Sequence, residues 1–242
     1  MQAETATTKL ELVMGADRVE RLRRSRVMVV GLGGVGSSCA EALARGGIGR
    51  LVAVDGDEVQ RSNINRQAIA FESTVGRRKA EVMRAMVADI NPAADVLALD
   101  RFVLPDDVDG LLADAGPLDY IVDAIDTIST KLALAERAGK LGIPVISSMG
   151  AANKLRPECL EIADIAKTSM CPMCRVVRRE ARKRGIAGLR VIYSREEPVR
   201  PDAPQGADAR DGHARLGTVS YMPPIMGQMM AGFVIRELAG LA

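Results

Sequence analysis

The feature that most constrains this chain is an apolar run that breaks straight into glycine. Val27-Met28-Val29-Val30 reads as a buried parallel strand, and Gly31-Leu32-Gly33-Gly34-Val35-Gly36 follows at once. Ser37 to Arg45, rich in Ala, Leu and Glu, is helix-like. A strand that feeds a helix through a glycine turn is the setting of a phosphate-binding loop. Glycine permits a tight turn and a close approach of backbone N–H groups, and the helix N-terminus adds partial positive charge. A second apolar strand, Leu51 to Val54, ends at Asp55, where an acid is placed to bind ribose hydroxyls.

Up to this point the pattern predicts a nucleotide and leaves its identity open. The next residues narrow it. Asn63-Ile64-Asn65-Arg66-Gln67 and then Lys79 set two cations shortly after the loop. A dinucleotide pyrophosphate is served largely by backbone N–H groups. A triphosphate attacked at its α-phosphorus needs added positive charge on its oxygens. The planar fork of Arg66 suits the outer phosphates, and Lys79 suits a point charge near the reacting one. Either residue alone is also compatible with an exposed salt bridge or a solvated helix face. Together, behind this loop and Asp55, they favour ATP over NAD.

The remaining elements set the fold class. Asp17 to Arg24 predicts a short amphipathic helix, and Gly56 to Ser73 is polar and loop-like. A helix over Arg77 to Ile90 is followed by a strand over Val96 to Leu99 and a short helix over Asp106 to Ala113. Tyr120 to Val122 is a strand ending at Asp123, Ile128 to Leu141 a helix capped by Gly142, and Val145 to Ser148 a fifth strand. This alternation predicts an α/β fold: a Rossmann-like, mostly parallel sheet flanked by helices. The C-terminal part is expected to be a mixed extension. Cys159 to Ile165 alternates as a half-exposed strand would, Cys171 to Arg184 is a strongly basic helix, and Leu189 to Tyr193 is a short strand. Glu196 to Gly217 reads as a long mobile loop, and Pro223 to Leu241 as an apolar, methionine-rich helix. That helix could pack across a subunit boundary or onto its own sheet. The expected organisation is one domain over 1–242, with a nucleotide-binding core at 17–150 and a substrate-facing part at 151–242.

Composition excludes several classes. An apolar fraction of 48% supports a sizeable core, and a net charge of +2 means that nucleic-acid contact must come from local clustering. No apolar run has membrane-spanning length, and Met1 to Glu11 has no signal-peptide core, so a cytoplasmic protein is expected. Four cysteines in 242 residues are not a disulfide framework. The single His213 lies in a polar stretch, which argues against a Ser-His or Cys-His triad.

The ordered set Gly31 to Ser37, Asp55-Gly56-Asp57, Asn63-Ile64-Asn65-Arg66-Gln67, Lys79 and Asp123-Ala124-Ile125-Asp126 resembles the adenylating fold. Molybdopterin-synthase adenylyltransferase, the thiamine-pathway sulfur-carrier adenylyltransferase and ubiquitin-activating enzymes share that fold. Ile143 to Ala151, Ala166-Lys167-Thr168 and Arg178-Arg179-Glu180 through Arg184-Gly185 resemble, more narrowly, the tRNA threonylcarbamoyladenosine dehydratases. The resemblance implies that Gly31, Gly33, Gly34 and Gly36 line the ATP phosphates and that Asp55 holds the ribose. It places Asp57 and Asn63 near the triphosphate or its metal, Arg66 and Lys79 on phosphates, and Asp126 on magnesium. Asp126 could instead cap the helix that starts near Ile128.

Three departures stand beside the likeness. Ala6 occupies the place where relatives often carry an arginine that reaches a partner's ATP. Carrier-adenylating relatives often hold zinc with two CxxC pairs. Here there is one, Cys171-Pro172-Met173-Cys174, so a structural zinc is not expected. Ser220 to Pro224 lacks the cysteine that some dehydratases carry. The resemblance implies ATP-dependent cyclisation of threonylcarbamoyladenosine in tRNA, with ATP and Mg²⁺ as cofactors and a homodimer as the assembly. Arg175, Arg178, Arg179, Arg182, Lys183 and Arg184 would then face tRNA; charge alone favours a solvated amphipathic helix with Val176 and Val177 inward. The alternative is a sulfur-carrier or ubiquitin-like protein adenylyltransferase with the same ATP site, which brings in a sulfur-transfer or carrier protein as a possible partner.

Overall fold

The computed structural model describes residues 5–199 and 216–241. His213 and most of the segment 196–217, expected to be a loop, lie outside the described residues. Two short helices open the chain, α1 (Thr8–Met14) and α2 (Ala16–Arg24). Then β1 (Arg26–Val30), α3 (Gly34–Arg45), β2 (Arg50–Val54), α4 (Lys79–Ile90), β3 (Asp95–Leu99), α5 (Val108–Ala115) and β4 (Tyr120–Asp123) alternate. The chain continues through α6 (Ile128–Lys140), β5 (Val145–Ser148), β6 (Leu160–Asp164), α7 (Pro172–Lys183), β7 (Arg190–Ser194) and α8 (Met222–Ala239).

The strands form one sheet in the order β3-β2-β1-β4-β5-β7-β6. All neighbours are parallel except the edge pair β6 and β7. The mixed extension is therefore a continuation of the same sheet. The antiparallel β6 closes an edge, where one face can stay half-exposed.

Strand period fixes the layers. Alternate side chains of β1 point to opposite faces: Val27 and Val29 join one core cluster, Met28 and Val30 the other. The first cluster packs under α3, α4 and α8, and the second under α5 and α6. A third cluster seats Val177 and Ala181 of α7 on Val191 and Tyr193 of β7. α8 uses its apolar residues within the chain: Met226, Met230 and Val234 are fully buried. A Cβ on Gly227 would lie 2.3 Å from the Val35 carbonyl, so α8 and α3 are in backbone-level contact. Of the two packings open to this helix, the described one is onto its own fold.

The boundaries differ from expectation in two instructive places. α3 begins at Gly34, so the last three residues of the glycine run are already helical, against the low helix propensity of glycine. α1 has no buried residue and was not foreseen; at seven residues it is too short for a sustained helical period.

Candidate active site

The sheet order puts β1 between β2 and β4, and in such sheets ligands bind at the carboxyl ends of the strands where the order reverses. A cavity of about 490 Å³ opens there. It is lined by Gly31, Gly33 and Gly34, by Asp55, Asp57, Asn63, Arg66 and Lys79, and by Ala124 to Thr127.

The glycine loop is shaped by steric demand. Gly31 has φ +87°, and a Cβ there would stand 2.7 Å from the Ala124 carbonyl oxygen. A Cβ on Gly36 would stand 1.8 Å from the Gly31 oxygen. Only glycine lets the loop pass this close to β4 and to the first turn of α3. Gly33 differs: a Cβ there would meet only Gln67 Nε2, at 4.0 Å, so the backbone faces open cavity just before α3 begins.

Asp55 is held rather than free. Its Oδ2 accepts from the Leu32 N–H at 2.7 Å and its Oδ1 from the Asp57 N–H at 2.8 Å. One carboxylate thus ties the end of β2 to the glycine loop. Lys79 is 5% exposed, donates to Asp57 Oδ2 at 2.8 Å and lies 3.8 Å from Asp55 Oδ1. Two carboxylates, one largely buried and one exposed, compensate the buried ammonium and fix it in place. Arg66 is half-buried, and its Nη1 donates at 2.9 Å to the Ser62 carbonyl and to Asn65 Oδ1. Asn65 in turn donates to the Thr218 carbonyl at 3.0 Å, tying this turn to the segment before α8. Asn63 is buried; its Oδ1 accepts from the Gln60 N–H, and its carbonyl accepts from the N–H groups of Arg66 and Gln67. It braces the turn that presents Arg66.

Asp126 is exposed at the cavity mouth, with the Thr127 hydroxyl donating to it at 3.3 Å. The N-cap of α6 is Thr127, so Asp126 does not occupy the capping position that was its alternative. Asp123, three residues earlier, is 1% exposed and sits beneath the cavity. Lys131 donates to both its oxygens at 3.1 Å and to Ser147 Oγ at 3.2 Å, and Asp123 Oδ1 accepts from the Ile125 N–H at 3.1 Å. This buried pair fixes the turn that carries Asp126.

Sequence reasoning missed Lys131. The available signal was its position on the apolar stripe of Ile128, Leu132 and Ala135, where a lysine needs a buried partner. It also missed Arg101 to Leu104, which line the cavity opposite the glycine loop. Phe102 and Leu104 are 67% and 60% exposed there, apolar surface suited to a flat ring. Gln67 is buried with an unpartnered Oε1.

The basic helix lies elsewhere, outside β7. Arg175, Arg179, Arg182, Lys183 and Arg184 are exposed. With Lys167 they border a groove of about 910 Å³ that Arg184 alone does not line. Arg178 differs from the rest of the set: its Nη1 donates to the Thr168 carbonyl at 2.6 Å and to the Thr168 hydroxyl at 2.9 Å, and it is half-buried. Glu180 pairs with Arg179 at 3.0 Å and Lys183 at 3.1 Å, and those cations hold its carboxyl below the usual range.

Fold and cavity define a Rossmann-like nucleotide-binding protein whose acids and cations line the crevice at the carboxyl ends of the strands. The chain belongs to the ThiF family, whose model matches residues 6–242. It is 43% identical over 236 residues to a Bacillus subtilis tRNA threonylcarbamoyladenosine dehydratase, covering 94% of this chain and 92% of the relative. The Escherichia coli enzyme of that name is 34% identical over 197 residues, covering 78% and 73%. The crystal structure of the E. coli enzyme with ATP superposes with a TM-score of 0.85 at 29% identity, covering 96% of this chain and 93% of that one. The AMP complex gives the same TM-score at 30% identity and the same coverage.

Proposed function

We infer that this chain is an ATP-dependent tRNA threonylcarbamoyladenosine dehydratase that works through an acyl-adenylate. The observation that carries this reading is near-full-length similarity to enzymes of that name, together with a cavity at the place where the fold binds nucleotides. The threonyl carboxylate of the modified base attacks the α-phosphorus of ATP and releases pyrophosphate. An internal group of the same modification then displaces AMP and closes the ring, so water is lost overall.

The chain's own share is placement and charge. The open backbone at Gly33 and the start of α3 offer N–H groups to phosphate oxygens, and Asp55, at the end of β2, would take the ribose hydroxyls. Lys79 exchanges its Asp57 contact for a phosphate oxygen, and Arg66 swings its fork from Asn65 onto the outer phosphates. Both neutralise charge that builds at the reacting phosphorus. Among the described residues no three metal-ligating side chains gather. Magnesium does not need them: it is usually bound by one or two carboxylates together with substrate phosphates. Asp126, with Asp57 nearby, offers hard oxygens of that kind, and the ion would supply further charge neutralisation. The exposed cations of α7 supply a phosphate-binding face for tRNA, while Arg178 supports the helix through Thr168. A cytoplasmic homodimer fits the same reading. No helix among the described residues is long and apolar enough to cross a membrane.

The test is incubation with ATP, magnesium and tRNA carrying the threonylcarbamoyl group, followed by mass analysis of the nucleosides. Loss of one water from the modified base is expected. Pyrophosphate exchange stimulated by a carrier protein ending in two glycines, and not by tRNA, would select the protein-adenylating alternative.

A further inference from the structure

Gln67 ends the run that presents Arg66, and its side chain is bonded to no group of the protein. The residue is 7% exposed and lines the nucleotide cavity. Its Oε1 is buried without a donor, and its Nε2 has no acceptor among the described residues. A buried carboxamide left unbonded has given up its contacts with water for nothing in return, and such groups are rare in folded proteins.

Its backbone, by contrast, is tied down. The Gln67 N–H donates to the Asn63 carbonyl at 3.0 Å, and the Gln67 carbonyl accepts from the Ala70 N–H at 3.0 Å. The next residue is latched to α3: the Ala68 N–H donates to Ser37 Oγ at 3.0 Å, and that hydroxyl donates to the Gly33 carbonyl at 2.7 Å. These bonds seat the amide beside Gly33, where the position of an added Cβ lies 4.0 Å from Nε2. Gly33 is the N-cap of α3 and brings no side chain to cap it. The uncapped start of a twelve-residue helix and a free carboxamide therefore border the same part of the cavity. Phosphate oxygens offer only acceptors there. With neither end bonded, the amide can turn its NH₂ group to them.

We propose that Gln67 is a further phosphate-binding residue of this site, its Nε2 donating to a phosphate oxygen seated at the start of α3. The proposal rests on the ATP-dependent reading above and adds a neutral donor to the two cations, Arg66 and Lys79. The fold places the amide and leaves its hydrogen bonds to the nucleotide.

The experiment uses the full chain with Gln67→Met, an apolar side chain of similar length, and Gln67→Glu. Two quantities are read: the melting temperature without nucleotide and the affinity for ATP with magnesium by calorimetry. In Gln67→Met the melting temperature should hold or rise, because an unbonded buried amide is removed, while ATP binds about 10–100-fold more weakly. Gln67→Glu should bind ATP more weakly still, since a carboxylate repels phosphate. Undiminished ATP affinity in Gln67→Met would overturn the proposal. A marked fall in its nucleotide-free melting temperature, or failure to fold, would make Gln67 a packing residue and overturn it as well. Tight binding by Gln67→Glu would show that the oxygen end meets the ligand, again against the proposal. An unmutated chain that does not bind ATP would remove the nucleotide reading itself, and this residue's role with it.

Discussion

The crevice and the outer helix use charge in opposite ways. At the carboxyl ends of the strands the lysines are sealed: Lys79 is 5% exposed and bonded to Asp57, and Lys131 is 2% exposed and bonded to Asp123 and Ser147. Along α7 the cations Arg175, Arg179, Arg182 and Lys183 stand in solvent, and their recorded ion pairs run to a single acid, Glu180. Buried, mutually bonded charges hold their geometry before any ligand arrives, as electrostatic preorganisation requires. Exposed charges are cheap, mobile and screened by salt, which suits contact with a long polyanion whose phosphates need no single fixed position.

Breaking a sealed pair should give the largest effect. Lys131→Met leaves the Asp123 carboxylate buried without its cation, and removal of one partner of such a pair costs about 3–5 kcal/mol. The thermal midpoint should fall by many degrees, and the double variant Asp123→Asn with Lys131→Met should recover much of the loss; equal melting of the single and double variants would contradict the pairing argument. Lys79→Ala comes next. The loss of one preorganised contact to developing charge should lower adenylation by about 10²–10³-fold, read as ATP–pyrophosphate exchange with modified tRNA present. Gly36→Ala follows, because its new Cβ meets the Gly31 carbonyl. An overpacking cost of about 1–3 kcal/mol and loss of ATP binding by calorimetry are expected together.

The outer helix should behave differently. Neutralising Arg175, Arg179 and Arg182 together should weaken tRNA binding and reduce its log–log salt slope by up to about 2–3, with ATP affinity unchanged. An unaltered salt slope would remove α7 from the tRNA surface. Arg178→Ala sharpens the contrast: it should lower the melting temperature, which the exposed triple leaves alone, because it strips both hydrogen bonds from Thr168. The smallest effect belongs to Lys183→Ala, whose surface pair with Glu180 should change stability by less than about 1 kcal/mol in denaturant titration.

Much of the nucleotide end was legible because its signals are local. The strands Val27–Val30 and Leu51–Val54 are short apolar runs bounded by glycine and acid, and the structure places both within one residue of their expected ends. Arg66, Lys79, Asp55, Asp57 and Asp126 line one cavity; the resemblance groups them, and for Asp57 and Asp126 it is the resemblance that assigns the role. Other features left no such trace. That Arg178 faces inward while Arg179 faces out is a matter of helix phase against Thr168, ten residues away in the chain. For Lys131 the trace is partial: the apolar stripe of α6 shows that it needs a buried partner, but only the packing of β4 and β5 supplies Asp123 and Ser147 as that partner. Phe102 and Leu104 reach the cavity only because β3 lies beside β2.

By itself the sequence determined the alternating α/β plan and the glycine loop, since period and steric permission are written into neighbouring residues. The tertiary structure decided which charges are locked and which are free. Burial and pairing join residues far apart in the chain, and the free energy of a buried ion depends on what stands within a few ångströms of it.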